Sequence, residues 1–207
     1  DGAAWGPDGA IYATSDAGLI RIPVSGGGPR ARVSAFDTAA HEVDHVQPTV
    51  LPNGRGVIFT VVHRPSSATA LRDIGVLDLR TGKHKVLVKG VLARYAAPGF
   101  LVFVRADGVL VAVRFDQDQL AMMGEPVPLA TGIAVGTFGA ADLAMGTDGT
   151  LAYVAGENAG GEAEVVWVNR EGAVKRVDQG WRANFQNLAL SPDGSRLAVS
   201  IATQTGE

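Results

Sequence analysis

The sequence has no cysteine. Disulfides, thiolate nucleophiles and cysteine-based zinc sites are therefore excluded, and the compartment stays open, because a cysteine-free chain suits reducing and oxidising surroundings alike. No apolar run approaches the roughly 18 residues that a membrane-spanning helix needs, and Asp1 opens no basic-then-apolar export pattern. This segment is expected neither to insert directly into a membrane nor to carry its own visible export signal. Positive charge is not in excess either: 18 Lys and Arg stand against 21 Asp and Glu, a formal charge of −3, which removes any general electrostatic reason to bind nucleic acid. Sustained 3.6-residue periodicity is absent, so almost no helix is expected. Gly-rich phosphate loops, the dinucleotide fingerprint and the Gly-x-Ser-x-Gly elbow are missing as well. Nothing points to a cofactor, and an enzyme is not expected.

Glycine, by contrast, is abundant at 27 residues, and its placement is regular. Ser191-Pro192-Asp193-Gly194 lies between the apolar runs Leu188-Ala189-Leu190 and Leu197-Ala198-Val199. Proline presets φ for the first corner of such a turn, Asp tolerates the next, and Gly takes positive φ where a Cβ would clash. The unit reads as a β-hairpin and it recurs. Asp8-Gly9 precedes Ile11-Tyr12, Asn53-Gly54 precedes Val57-Ile58-Phe59, Pro98-Gly99 precedes Leu101-Val102-Phe103, and Asp148-Gly149 precedes Leu151-Ala152-Tyr153. Glycines 9, 54, 99, 149 and 194 are spaced by 45, 45, 50 and 45 residues.

A second hairpin follows in each unit: Leu19–Val24 returning through Arg30–Val33, Ile74–Leu79 through His84–Val88, Val109–Phe115 past Asp116-Gln117-Asp118-Gln119, and Val165–Val168 turning at Asn169–Gly172. Four short strands in about 45 residues is the period of a propeller blade. The predicted fold is all-β, a β-propeller segment of four-stranded antiparallel blades over 1–40, 41–91, 92–135 and 136–182, with a partial blade over 183–207. About four and a half blades are thus present, and further blades of the same propeller are expected partners, since an unsealed ring leaves an edge strand open. Lys83, Lys85 and Lys89 alternate with Val86 and Val88 and read as the wet face of an outer strand. Trp5, Phe59, Phe103, Tyr153 and Trp167 fall in strand registers and are assigned to packing between blades.

Several phrases support a resemblance to a known family. They are Ala4-Trp5-Gly6-Pro7-Asp8-Gly9, Glu42-x-x-His45-x-x-Pro48-x-x-Leu51-Pro52, Val76-Leu77-Asp78-Leu79-x-Thr81-Gly82, Ala93-Arg94-Tyr95, Gly124-Glu125-Pro126-Val127-Pro128 and Val166-Trp167-Val168-Asn169-Arg170-Glu171-Gly172. The chain resembles the TolB-type (WD40-like) propeller repeat, and within it the propellers attached to bacterial receptor serine/threonine kinases. That resemblance implies a sensor domain outside the cytoplasm that binds a protein or small-molecule ligand. Similar repeats also occur in periplasmic TolB and beside serine peptidases, so an interaction scaffold and a peptidase gate are the rival readings.

Two motifs suggest metals. His41-Glu42-Val43-Asp44-His45 matches His-Glu-x-x-His, but a zinc peptidase needs that motif on a helix, so that both histidines share one face. Here it leads into a strand, and the resemblance leaves Glu42 and His45 as a pair that fixes a loop. Asp116-Gln117-Asp118 opens like a calcium loop, yet Ala121 and Val127 stand where Gly and Glu belong. No metal is expected at either place. The longer connections, Ser34–Gln47, His63–Asp73, Thr131–Ala141 and Glu157–Glu162, share one face, where recognition is expected. First strands line the axis of a propeller, so Glu42, His45, Arg94, Tyr95, Asp142 and Asn187 are the candidate ligand-binding residues at the channel mouth, with Trp181 and Phe185 near the rim. Asp8, Gly9, Asn53, Gly54, Asp148, Gly149, Asp193 and Gly194 are assigned to turns.

Overall fold

A computed structural model describes residues 2–24, 28–64, 72–136, 141–146, 149–156, 163–169, 172–191 and 194–202. Asp148 and Asp193 lie outside them, as do residues 65–71 and 157–162 of the long connections. Among the described residues, eighteen strands occur in chain order. The first sheet holds β1 (Ala3–Trp5), β2 (Ala10–Ser15), β3 (Gly18–Pro23) and β4 (Ala31–Arg32); the second holds β5 (Glu42–Val50), β6 (Gly56–His63), β7 (Arg72–Asp78) and β8 (Lys83–Lys89). The third is β9 (Leu92–Ala96), β10 (Phe100–Val104), β11 (Leu110–Asp116) and β12 (Ala121–Ala130), and the fourth is β13 (Leu143–Met145), β14 (Leu151–Ala155), β15 (Glu164–Val168) and β16 (Val174–Arg176). A two-stranded sheet, β17 (Phe185–Leu190) and β18 (Leu197–Ile201), completes the set. Every pairing is between chain neighbours and antiparallel. Among the described residues no helix is long and apolar enough to cross a membrane.

The turns are built as their residues require. Gly9, Gly54, Gly149 and Gly194 all have φ between 66° and 87°, and each amide donates to the carbonyl three residues back, on Gly6, Leu51, Gly146 and Ser191 respectively. Asp8 Oδ1 and Asn53 Oδ1 accept the amides two residues on, at 3.3 and 2.9 Å. Asp8 does more than turn the chain: its other oxygen meets the Tyr12 hydroxyl and the Arg21 guanidinium.

The second strand of each blade explains why the sheets stack. Side chains alternate across a strand, so one buried on both faces reads as a continuous apolar run. In β6, Val57, Phe59 and Val61 pack with Ala10, Tyr12 and Leu19 of the first blade, whereas Ile58 packs with Leu101, Phe103 and Val113 of the third. In β10 the division repeats: Leu101 and Phe103 face the second blade, Val102 and Val104 the fourth. In β14, Leu151 and Tyr153 face the third blade while Val154 joins Phe185, Leu197 and Val199 of the last sheet. Trp5 departs from expectation. It is 66% exposed, because it lies on the face of the first blade that no other described residue covers. The lysines of β8 are exposed as expected, but the alternation breaks. A register shift between Ile74 and Gly75 leaves Val86 exposed.

Candidate functional site

Two polar constellations stand out, and the sequence had placed members of both at the channel mouth. The first is buried between the first two blades. Glu42 opens β5 and His45 follows three residues later, their side chains 2% and 0% exposed. His84 reaches them from β8. The Glu42 carboxylate accepts three N–H groups: the Asp37 amide at 2.7 Å, His45 Nε2 at 3.1 Å and His84 Nε2 at 3.0 Å. On its other side His45 Nδ1 lies 2.8 Å from Ser34 Oγ, which itself accepts the Leu19 amide at 2.8 Å. The hydroxyl therefore donates to Nδ1, and this fixes the imidazole proton on Nε2. Phe36, Phe59 and His84 surround the ring within 5.0 Å. Gly18 permits the approach: at φ 112° any Cβ would stand 2.7 Å from the Ser34 carbonyl oxygen.

Burial alone would raise the Glu42 carboxyl, but its three N–H partners hold it below the usual carboxylate value. Burial also keeps His45 below the ordinary imidazole range, against the pull of Glu42. The pattern is an ionised carboxylate clamped by three N–H donors. A serine, a histidine and a glutamate in a row invite comparison with a hydrolase relay. Ser34 and His45 are both buried, however, and the Ser34 hydroxyl is already engaged on both sides. The relay has no face to offer a substrate. As a metal set, Glu42, His45 and His84 place one ligand atom each within 4.8 Å of the others. His41, the first histidine of the sequence motif, is not among them; it is exposed in a turn with φ 59°. Sequence reasoning missed His84, which hides among exposed lysines, and no spacing rule joins it to Glu42 across 42 residues.

The second constellation is axial. A pocket of about 140 Å³ is lined by Gly2 and Ala3 of the first blade, Gln47 and Pro48 of the second, Arg94 of the third, Asp142 and Leu143 of the fourth, and Asn187 and Leu188 of the last sheet. First strands from all five sheets meet there, as the propeller reading requires. Of the six candidate residues, Arg94, Asp142 and Asn187 line this pocket, whereas Glu42, His45 and Tyr95 do not. Tyr95 instead accepts the Gly99 amide through its hydroxyl and sets its ring edge-on to Phe115, bracing its own hairpin. Trp181 and Phe185 stack edge to face at 4.8 Å. Glu42 is not the acceptor for Arg94, because its oxygens are taken within the first constellation. Arg94 Nη1 donates to Thr49 Oγ1 at 3.3 Å and to the Ala93 carbonyl at 2.9 Å. Burial lowers the guanidinium to about 10, a drop that Asp142 only partly offsets. Burial likewise raises Asp142, against the Asn187 amide that its Oδ1 accepts at 2.8 Å.

Two lining residues break strand geometry. Gln47 has φ 54° within β5 and Asn187 has φ 49° within β17, each at a register shift in its ladder. Such bulges re-aim side chains and are enriched beside binding sites.

No protein-family model matches the sequence, and no curated protein does. Solved structures do. Regucalcin from Agrobacterium tumefaciens, a calcium-binding protein, aligns over 99% of this chain with a TM-score of 0.69 at 17% identity. The fold is a β-propeller. TolB from Acinetobacter baumannii aligns over 95% of the chain at TM-score 0.67 and 20% identity, and a puromycin-hydrolysing peptidase of Mycobacterium tuberculosis over 95% at 0.69 and 15%. This propeller chain spans 69% of the regucalcin chain, 47% of TolB and 32% of the peptidase. Enzymes and proteins not described as enzymes both occur among these neighbours, so the likeness carries the architecture and not an activity.

Proposed function

We propose that this chain is a non-catalytic propeller module that recognises a small-molecule or protein ligand at its axis, serving as part of the extracytoplasmic sensor of a bacterial receptor serine/threonine kinase. The observation that carries the binding reading is the axial pocket, where a half-buried guanidinium and a half-buried carboxylate line one cavity beside two bulged strands. The non-catalytic reading is supported by the closed Ser34–His45–Glu42 network, whose polar atoms are all engaged within the protein. The kinase assignment rests on the sequence phrases around Glu42–Leu51, Ala93–Tyr95 and Gly124–Pro128. Likeness to TolB and to a peptidase supports two rivals, a periplasmic scaffold and the gating propeller of a serine peptidase.

Binding is tested by screening small polar compounds and peptides against the isotope-labelled chain by NMR. Shifts confined to amides of residues 47, 49, 93–94, 141–143 and 187–188 are expected. Ligands that perturb only the outer strands would overturn the axial reading. Kinase motifs and an apolar helix of about 20 residues encoded upstream would support the sensor role. A Gly-x-Ser-x-Gly elbow encoded downstream would replace it with the peptidase role.

A further inference from the structure

The axial pocket holds two charges that do not neutralise each other. A guanidinium carries five N–H donors. In Arg94 two contacts are made, both from Nη1, and no described residue accepts from Nη2 or Nε. Across the pocket Asp142 uses Oδ1 for the Asn187 amide, and no described residue donates to Oδ2. No ion pair within 4.0 Å joins Arg94 to Asp142, although both line the same cavity. A half-buried guanidinium without a bidentate acceptor, lining the same pocket as a half-buried carboxylate without a cation, is an arrangement that a ligand of matching dipole completes.

Size narrows the class. A pocket of about 140 Å³ is well below the roughly 300–1,000 Å³ of sites for drug-sized ligands. That favours a compact ligand of few heavy atoms over a sugar or an aromatic ring. The walls do not offer an easy extension. A Cβ on Gly2 would stand 3.1 Å from the Gln47 backbone, so the first blade is already pressed against the bulge of β5. That bulge and the one in β17 bring Gln47 and Asn187 to the pocket wall, where their side-chain amides are held by Thr60 and Ser200 respectively.

We propose that the axial pocket takes a small zwitterion of the α-amino acid type, its carboxylate on the Arg94 guanidinium and its ammonium on the open Asp142 oxygen. This rests on the axial-binding reading above and names the ligand class for that site. At neutral pH Arg94 stays protonated, and an ammonium beside Asp142 favours the carboxylate against the burial that disfavours it.

The experiment uses the 207-residue chain in calorimetric titrations with glycine, alanine, phenylalanine, acetate and methylammonium. Glycine and alanine should bind, and phenylalanine should not. Each charge-assisted contact corresponds to about 10- to 100-fold in affinity, so acetate and methylammonium should each bind at least about 10-fold more weakly than glycine. Asp142→Asn keeps the Oδ1 acceptor for Asn187 and should reduce glycine to the acetate level while the unliganded melting temperature holds. Arg94→Lys keeps the charge but loses the fork, and should weaken glycine and acetate alike. The zwitterion proposal is overturned if glycine gives no heat, or if Asp142→Asn and Arg94→Lys, both folded, bind it as the parent does. A neutral compound that shifts the axial amides while glycine does not would leave axial binding standing and remove only the zwitterion.

Discussion

Replacing Glu42 by alanine gives the sharpest test of what locks the first two blades together. The carboxylate is 2% exposed and accepts N–H groups from Asp37, His45 and His84. Hydrogen bonds to a charged group contribute about 1.5–3 kcal/mol each, but the charge pays a desolvation cost on burial that offsets part of this. Removing the acceptor strands three donors, two of them from largely buried imidazoles, and comparable losses of a buried partner cost about 3–5 kcal/mol. We therefore expect Glu42→Ala to lower unfolding stability by about 4 kcal/mol. Glu42→Gln should lower it by about 2–3 kcal/mol, because each bond falls from charge-assisted to neutral strength. Combining Glu42→Ala with His84→Ala should recover about 1–2 kcal/mol as coupling. The assay is urea unfolding at pH 7.5 with the slope held constant across variants. A Glu42→Ala loss below about 1 kcal/mol, or a coupling indistinguishable from zero, would refute the lock.

Other expectations follow from the same geometry. His45 has its folded value below the unfolded 6.5, so the unfolded chain takes up more protons; stability should be full above pH 6.5 and fall as pH drops below it, and His45→Gln should flatten that slope. Glu42, depressed from 4.5, adds a second loss below that value, readable as a steeper fall in acid. Gly9→Ala, with φ 69° and open space around its Cβ, should cost about 1–2 kcal/mol, whereas Gly18→Ala meets the Ser34 carbonyl at 2.7 Å and should cost about 3 kcal/mol or more. Because the three N–H groups already satisfy Glu42, chelator should leave the melting temperature unchanged; a zinc-dependent rise abolished by His84→Ala would show that the same atoms hold a metal.

The blades were legible because turn chemistry and strand parity are local. Asp8-Gly9 and Asn53-Gly54 declare turns from adjacent residues alone, and Val57–Val61 declares a strand covered on both sides. The axial position of Arg94, Asp142 and Asn187 was legible too, since it follows from topology once first strands are assigned. What stayed hidden depends on three dimensions. His84 joins Glu42 through a register shift in β7–β8 that no pattern announces. Glu42 and His45 were placed at the channel mouth because first strands line the axis, but they open β5 ahead of its bulge at Gln47 and are buried beside Phe59 and His84 instead of lining the pocket. Tyr95 follows Arg94 by one residue, and the period of two sends its side chain to the other face.

The two-sided second strand also sets which changes in length this architecture can absorb. Each of β6, β10 and β14 serves one core through its odd residues and another through its even ones. Deleting a single residue within such a strand exchanges the two sets and unmakes both interfaces at once. Inserting or losing an entire blade, by contrast, rejoins surfaces of one kind and alters only the junction where it happens. Variation in such a chain is therefore quantised: connections can drift by several residues, as the interval of 50 among intervals of 45 illustrates, while strands can change number only in groups of four.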